Sequence, residues 1–231
     1  MKSWSVVLLL ISTVSLFSFL ASAADPDPVQ DFCVSVNDTK FAVFVNGKFC
    51  KKPESVTADD FYYAAGLHEP QPITSPFGSK ITMAFERQFP ALNTQGVAMS
   101  RIDFAPQGLN PPHWHPRASE MLVVLQGTLY SGFFTTNPHD PHENGTLYAK
   151  TLRPGDVFVF PRGLLHFQYN VGHDHAVAFV SFNSQNPGVV TAARLLFGAE
   201  PWVCPRMLAD AFQIDVRMVA YLQSLRWEGN N

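Results

Sequence analysis

Short runs of β-branched and aromatic residues, most of them closed off by Gly, Pro, Asn or Asp, constrain this chain more than any other feature. They occupy residues 81–85, 96–104, 121–125, 128–134, 147–152, 157–160, 167–170 and 176–182. Each is strand length and too short for a long buried helix. Many short strands with frequent turn signals and few helical stretches predict an all-β sandwich or barrel. No internal repeat of solenoid length is present. The chain changes character at its C-terminus. Pro205 opens a predicted helix running to Phe212. Asp215 is placed to cap a second one, with Val216, Val219, Ala220 and Gln223 at helical spacing and Trp227 continuing the face.

The N-terminus reads as an export signal. Lys2 gives a positive start, residues 5–20 are apolar, and Ala21-Ser22-Ala23 is a small-residue cleavage site. Ala24-Asp25-Pro26-Asp27-Pro28 follows, where a membrane anchor would carry a basic flank. No later stretch is apolar enough to cross a bilayer. The predicted organisation is a signal peptide over 1–23, an N-terminal extension over 24–76, a barrel over 77–200 and a helical segment over 201–231. The last three belong to one domain. The 231 residues carry a net charge of −3 and no Lys/Arg-rich run, which excludes a nucleic-acid stripe. Only 15% of residues are charged against 46% hydrophobic, as in chains that hide surface in an oligomer or under sugar.

Export implies an oxidising compartment. Of the three cysteines, Cys33 and Cys50 flank an apolar run and an Asn46-Gly47 turn. A bridge between them would close a short loop and stabilise by about 2–4 kcal/mol; the alternative is two buried thiols. Cys204 is the odd one, either buried or free for intermolecular pairing. Asn37 and Asn144 each begin an Asn-x-Thr glycosylation sequon.

The segment with the most chemistry is Gly108-Leu-Asn-Pro-Pro-His113-Trp-His115-Pro-Arg-Ala-Ser-Glu120. His113 and His115 are two apart, so on a strand both imidazoles share one face and Trp114 takes the other. Glu120 lies five further on and would face away if the strand ran straight. Pro116 favours a bend that returns it. In Gly155-Asp-Val-Phe-Val-Phe-Pro161-Arg-Gly-Leu-Leu-His166-Phe-Gln-Tyr-Asn170, a buried strand leads to a Pro-Arg-Gly turn, and His166 opens the next strand. An antiparallel neighbour there can bring His166 beside the other three. Three imidazoles and a carboxylate form a mixed N/O set that suits Mn, Fe, Ni, Cu or Zn. Four protein ligands leave two positions on an octahedral Mn(II) or Fe(II).

These residues also carry a resemblance. The run from His113 through His115 and Glu120 to Gly127 resembles the first cupin motif, and that from Gly155 through Pro161 and His166 to Asn170 resembles the second. One position departs: Gln107 stands where the motif has a glycine. Asp25-Pro-Asp-Pro-Val-Gln-Asp-Phe-Cys33, Arg101-Ile-Asp-Phe-Ala-Pro106 and Ser181-Phe-Asn-Ser-Gln-Asn-Pro-Gly188 are similar to stretches of plant germins and germin-like proteins. The resemblance covers the mature chain. It implies a cupin jelly-roll β-barrel with short C-terminal helices. It further implies Mn(II) on His113, His115, Glu120 and His166, a Cys33–Cys50 bridge, and an apoplastic or cell-wall location. The implied assembly is a homo-hexamer, a trimer of dimers clasped by the C-terminal helices.

Within that family the reaction divides. Germins that oxidise oxalate to CO2 and H2O2 place two asparagines at the metal. One matches Asn110, a candidate substrate-binding residue; at the position of the other this chain has Ser100. A serine hydroxyl is shorter than a carboxamide and would leave an oxalate oxygen unpaired, a loss of about 1.5–3 kcal/mol. Superoxide dismutation needs no dicarboxylate clamp and is the expected activity, with a role in plant defence or cell-wall stress. Oxalate oxidation is the alternative, and a non-enzymatic wall or receptor-like metal protein is a third reading. His173-Asp-His175 reads as a hairpin turn, His139 and His142 as solvated loop residues, and His68 as a loop residue. Hydrolase, nucleotide-loop and zincin motifs are absent.

Overall fold

A computed structural model describes residues 31–37, 42–45, 48–136, 144–225 and 227. The predicted signal peptide, His139 and His142 lie outside the described residues. No described helix is long and apolar enough to cross a membrane.

Two five-stranded antiparallel sheets face each other. The first has the order β10-β7-β12-β5-β4 and the second β13-β6-β11-β8-β9. The strands are β4 (Ser79–Ala84), β5 (Ala98–Phe104), β6 (Leu109–Trp114), β7 (Glu120–Gln126), β8 (Leu129–Thr135), β9 (Thr146–Leu152), β10 (Val157–Phe160), β11 (His166–Asn170), β12 (Ala176–Phe182) and β13 (Val190–Thr191). From β5 to β7, and again from β9 to β13, successive strands change sheet. This is the double-sheet jelly roll, which closes most of its edges by wrapping.

Alternation builds the interior. On the first sheet, Ile102, Phe104, Leu122, Val124, Ala178 and Val180 point inward and are buried. Gly127, between β7 and β8, has φ +81°, and a Cβ there would stand 2.5 Å from that of Ala176, so the turn requires glycine. Gln107 lies in the left-handed region at φ 58°. The backbone explains why a glycine suits that position.

The described residues between 31 and 76 are more regular than their proline content suggests. β1 (Ser35–Val36), β2 (Ala42–Val45) and β3 (Lys48–Lys51) form a small sheet of order β1-β3-β2. Ser35 pairs with Cys50 across β1 and β3, and this brings Cys33 within a Cα–Cα distance of 5.1 Å of Cys50, where the disulfide forms.

After β13 come α1 (Ala192–Phe197), α2 (Pro205–Phe212) and α3 (Val216–Ser224). Pro205 opens α2, and the Asp215 side chain accepts from the Arg217 amide at the start of α3. Phe197, Leu208, Ala209 and Val219 make a second small core, against which Leu222 and Trp227 pack. α1 was not expected from the sequence. It has no side-chain cap and only six residues, so it leaves little local signal.

Candidate metal centre

The centre bridges the two sheets. His113 lies near the end of β6 and is paired with His166 at the start of β11 in the second sheet. Glu120 opens β7 in the first sheet, between Phe160 of β10 and Phe182 of β12. His115 sits just beyond β6, and the bend at Pro116–Arg117 returns the chain so that Glu120 faces it. One ligand atom from each of the four residues lies within 4.8 Å of every other. All four are at most 3% exposed, so a cation there would be held away from bulk water.

The backbone sets the imidazoles. His113 Nδ1 donates to Pro111 O at 2.8 Å, His115 Nδ1 to Gly188 O at 2.5 Å, and His166 Nδ1 to Leu164 O at 2.8 Å. A carbonyl can only accept, so each neutral ring carries its proton on Nδ1 and turns a bare Nε2 lone pair inward. Rings wall these groups in: Phe160 stacks on His166 at 4.6 Å, and Phe182 meets His115 edge-on at 4.8 Å.

This arrangement fits a divalent ion. His115 Nε2 lies 2.9 Å from Glu120 Oε2, two acceptors facing each other once Nδ1 holds the ring's proton. His166 Nε2 lies 3.4 Å from the same oxygen and has no hydrogen-bond partner among the described residues. A buried lone pair left unmatched is costly, and a cation among the four atoms satisfies every one. Burial, with the neighbouring His166 and His115, pushes the His113 imidazole down to about 3, so it stays neutral and able to ligate.

Beside His113, His115 and Glu120 lies a cavity of about 20 Å³, enough for one water-sized group. Its walls include Ile81, Met83, Phe85, Val180, Phe182 and Val189, with Ser100 and Asn110 as further polar lining. Ser100 Oγ is buried without a partner among the described residues.

A Cupin family model matches residues 65–220. The sequence is 52% identical over 224 residues to germin-like protein subfamily 1 member 10 of Arabidopsis thaliana, covering 97% of each chain. This chain belongs to the germin-like proteins of the cupin family. Member 14 of the same subfamily and plant is 49% identical over 221 residues, covering 96% of this chain and 97% of the relative. Among solved structures, recombinant oxalate oxidase in complex with glycolate superposes with a TM-score of 0.79 at 42% identity, covering 87% of this chain and 97% of the other. Peruvianin-I, described as a cysteine peptidase from Thevetia peruviana latex, gives a TM-score of 0.64 at 39% identity, covering 73% and 98%. Germin-like folds thus carry more than one named chemistry, and the reaction has to be argued from the site.

The other sequence candidates of this germin-like chain lie elsewhere. His173 and His175 are exposed in a bend linking β11 of one sheet to β12 of the other, so the hairpin reading is corrected. The bend crosses between sheets because consecutive strands of a jelly roll need not pair. His68 is exposed beside Glu69. Cys204 is an exposed free thiol. Asn37 and Asn144 are both exposed.

Sequence reasoning missed Gln168, which is fully buried and donates to Glu120 Oε1 at 3.1 Å. The signal was available: Gln168 lies two residues after His166 on the same strand and shares its face.

Proposed function

We propose that this germin-like chain is an exported Mn(II) glycoprotein that dismutates superoxide, converting two superoxide ions and two protons to O2 and H2O2. The observation that carries the reading is the set of three inward Nε2 lone pairs and one carboxylate, with a small, largely apolar cavity against His113, His115 and Glu120. His113, His115, Glu120 and His166 would hold the ion, and Mn bound there supplies a one-electron redox couple. The aliphatic and phenyl walls exclude large or strongly hydrated substrates. Ser100 Oγ, with no other partner among the described residues, can offer its hydrogen to the outer oxygen of a small anion.

Oxalate oxidation is the second reading. It is favoured by the likeness to a structure named oxalate oxidase and by Asn110 in the cavity lining. Ser100 speaks against it, because no carboxamide stands there to hold the second carboxylate. Elemental analysis of native protein, with superoxide and oxalate assays on the same sample, separates the readings. Manganese with superoxide turnover is expected; oxalate turnover without it would reverse the assignment. Ser100→Asn should raise oxalate turnover about tenfold or more, the equivalent of one hydrogen bond to an ionised ligand.

Export is supported by the N-terminal signal pattern and the Cys33–Cys50 disulfide. The exposed Asn37 and Asn144 are the proposed glycosylation sites. A homo-oligomer, as a hexamer, is supported by exposed apolar side chains on β7, β10 and the C-terminal helices, including Met121, Val157, Val159, Met207, Phe212, Met218 and Tyr221.

A further inference from the structure

We propose that Gln168 is a positioning residue that reserves one oxygen of Glu120 for the ion, and that Asn110 acts through Gln168. This deepens the preceding reading and rests on it. Gln168 Nε2 donates to Glu120 Oε1 at 3.1 Å, and Gln168 Oε1 accepts from Asn110 Nδ2 at 2.7 Å. The other carboxylate oxygen, Oε2, is the one that faces His115 and His166. All three side chains of the relay are nearly or wholly buried, so water does not compete for these bonds.

Elementary donor and acceptor rules fix the direction of the relay. An ionised carboxylate only accepts, so the Gln168 amide must turn its nitrogen to Glu120. Its oxygen then faces Asn110, which must present its own nitrogen. One charge thereby orients two amides. With Oε1 engaged in a charge-assisted bond, Glu120 would offer the ion its other oxygen, Oε2.

Backbone geometry brings Asn110 into reach. Asn110 and His113 are three apart and would face opposite sides of a regular strand. The β6–β11 register slips between the His166–His113 and Gln168–Asn110 pairs, two residues of β11 spanning three of β6. Pro111 and Pro112 fall inside that slip. Neither has an N–H to give a ladder, so the bulge settles on them. The bulge turns Asn110 inward beside Gln168.

The test uses purified, metal-loaded protein and three variants: Gln168→Leu, Asn110→Ala and the double. The readouts are the Mn(II) dissociation constant and the Mn(II) EPR spectrum. Gln168→Leu should weaken binding by about tenfold to a hundredfold and change the zero-field splitting, because Oε1 is released. Asn110→Ala should weaken binding in the same direction but less. The double should be no weaker than Gln168→Leu, since the relay carries the effect of Asn110 on Glu120 through Gln168. Single variants with the parent's affinity and spectrum, or an additive double, would overturn the relay while leaving the metal site intact. A parent protein that bound no Mn(II) would instead overturn the metal site and the relay with it. Should Gln168→Leu not fold, the affinity of Asn110→Ala still decides, because a residue serving only substrate would leave it unchanged.

Discussion

The two sheets of the barrel both contribute to the apolar core, Leu129 and Leu152 coming from the second, but the inner faces of their central strands differ in chemistry. The inner face of β5, β7 and β12 is mostly apolar: Ile102, Phe104, Leu122, Val124, Ala178 and Val180. That of β6, β8 and β11 carries Asn110, His113, Ser131, His166, Gln168 and Asn170, all buried. The first face gains stability by removing hydrocarbon from water. The second must find partners for its polar atoms, and most of them are met by backbone carbonyls, the amide relay and the proposed ion, although Ser131 Oγ has none among the described residues. One sheet holds the barrel together, and the other uses that rigidity to aim ligands. Glu120 is the exception that joins them, a carboxylate on the apolar sheet directed at the polar one.

That division can be broken by substitution. Phe104→Ala should cost about 3–5 kcal/mol, the largest effect expected, through cavity formation in the apolar face. Denaturant unfolding with and without a chelator should show the same loss, because the side chain does not touch the centre. A loss that vanished on chelation would mean the sheets are not separate in this sense.

Replacing both Cys33 and Cys50 by Ser should cost about 2–4 kcal/mol. The bridge ties β3 to the segment before β1, outside both large sheets, so manganese affinity should not change. A shift in affinity measured by metal titration would show that the small sheet supports the centre.

The smallest effect tests the loop before β6. Gln107 has φ 58° and an exposed side chain. Gln107→Gly should relieve left-handed strain of about 1–2 kcal/mol and return about half of it as unfolded-chain entropy. A net gain of up to about 1 kcal/mol by thermal unfolding is expected, and a net loss would show that the side chain has a role.

Much of this was legible before any coordinates, for physical reasons that differ from element to element. β10 and β12 match their apolar runs because strand propensity and flanking Gly and Asp act locally. α2 and α3 were legible because proline and aspartate mark helix starts. His113, His115 and Glu120 fall within eight residues, so strand alternation and one proline place them. β6 itself was harder. Its two prolines argue against a strand, yet its remaining residues pair with β11 and β13 around a bulge. The inward turn of Asn110 therefore depends on a register slip that no local pattern announces. The Gln168 contact to Glu120 joins residues 48 apart, and only the closed barrel brings them together. α1 forms beside β6 and α3, contacts distant in sequence.

The central claim is that four side chains from two sheets converge on one divalent ion. The direct measurement is metal content per folded chain in His166→Ala, by elemental analysis alongside circular dichroism. Removing one of the four ligands from an otherwise intact barrel should leave a native β spectrum and little or no bound manganese. A folded His166→Ala protein with its full complement of manganese would contradict the claim.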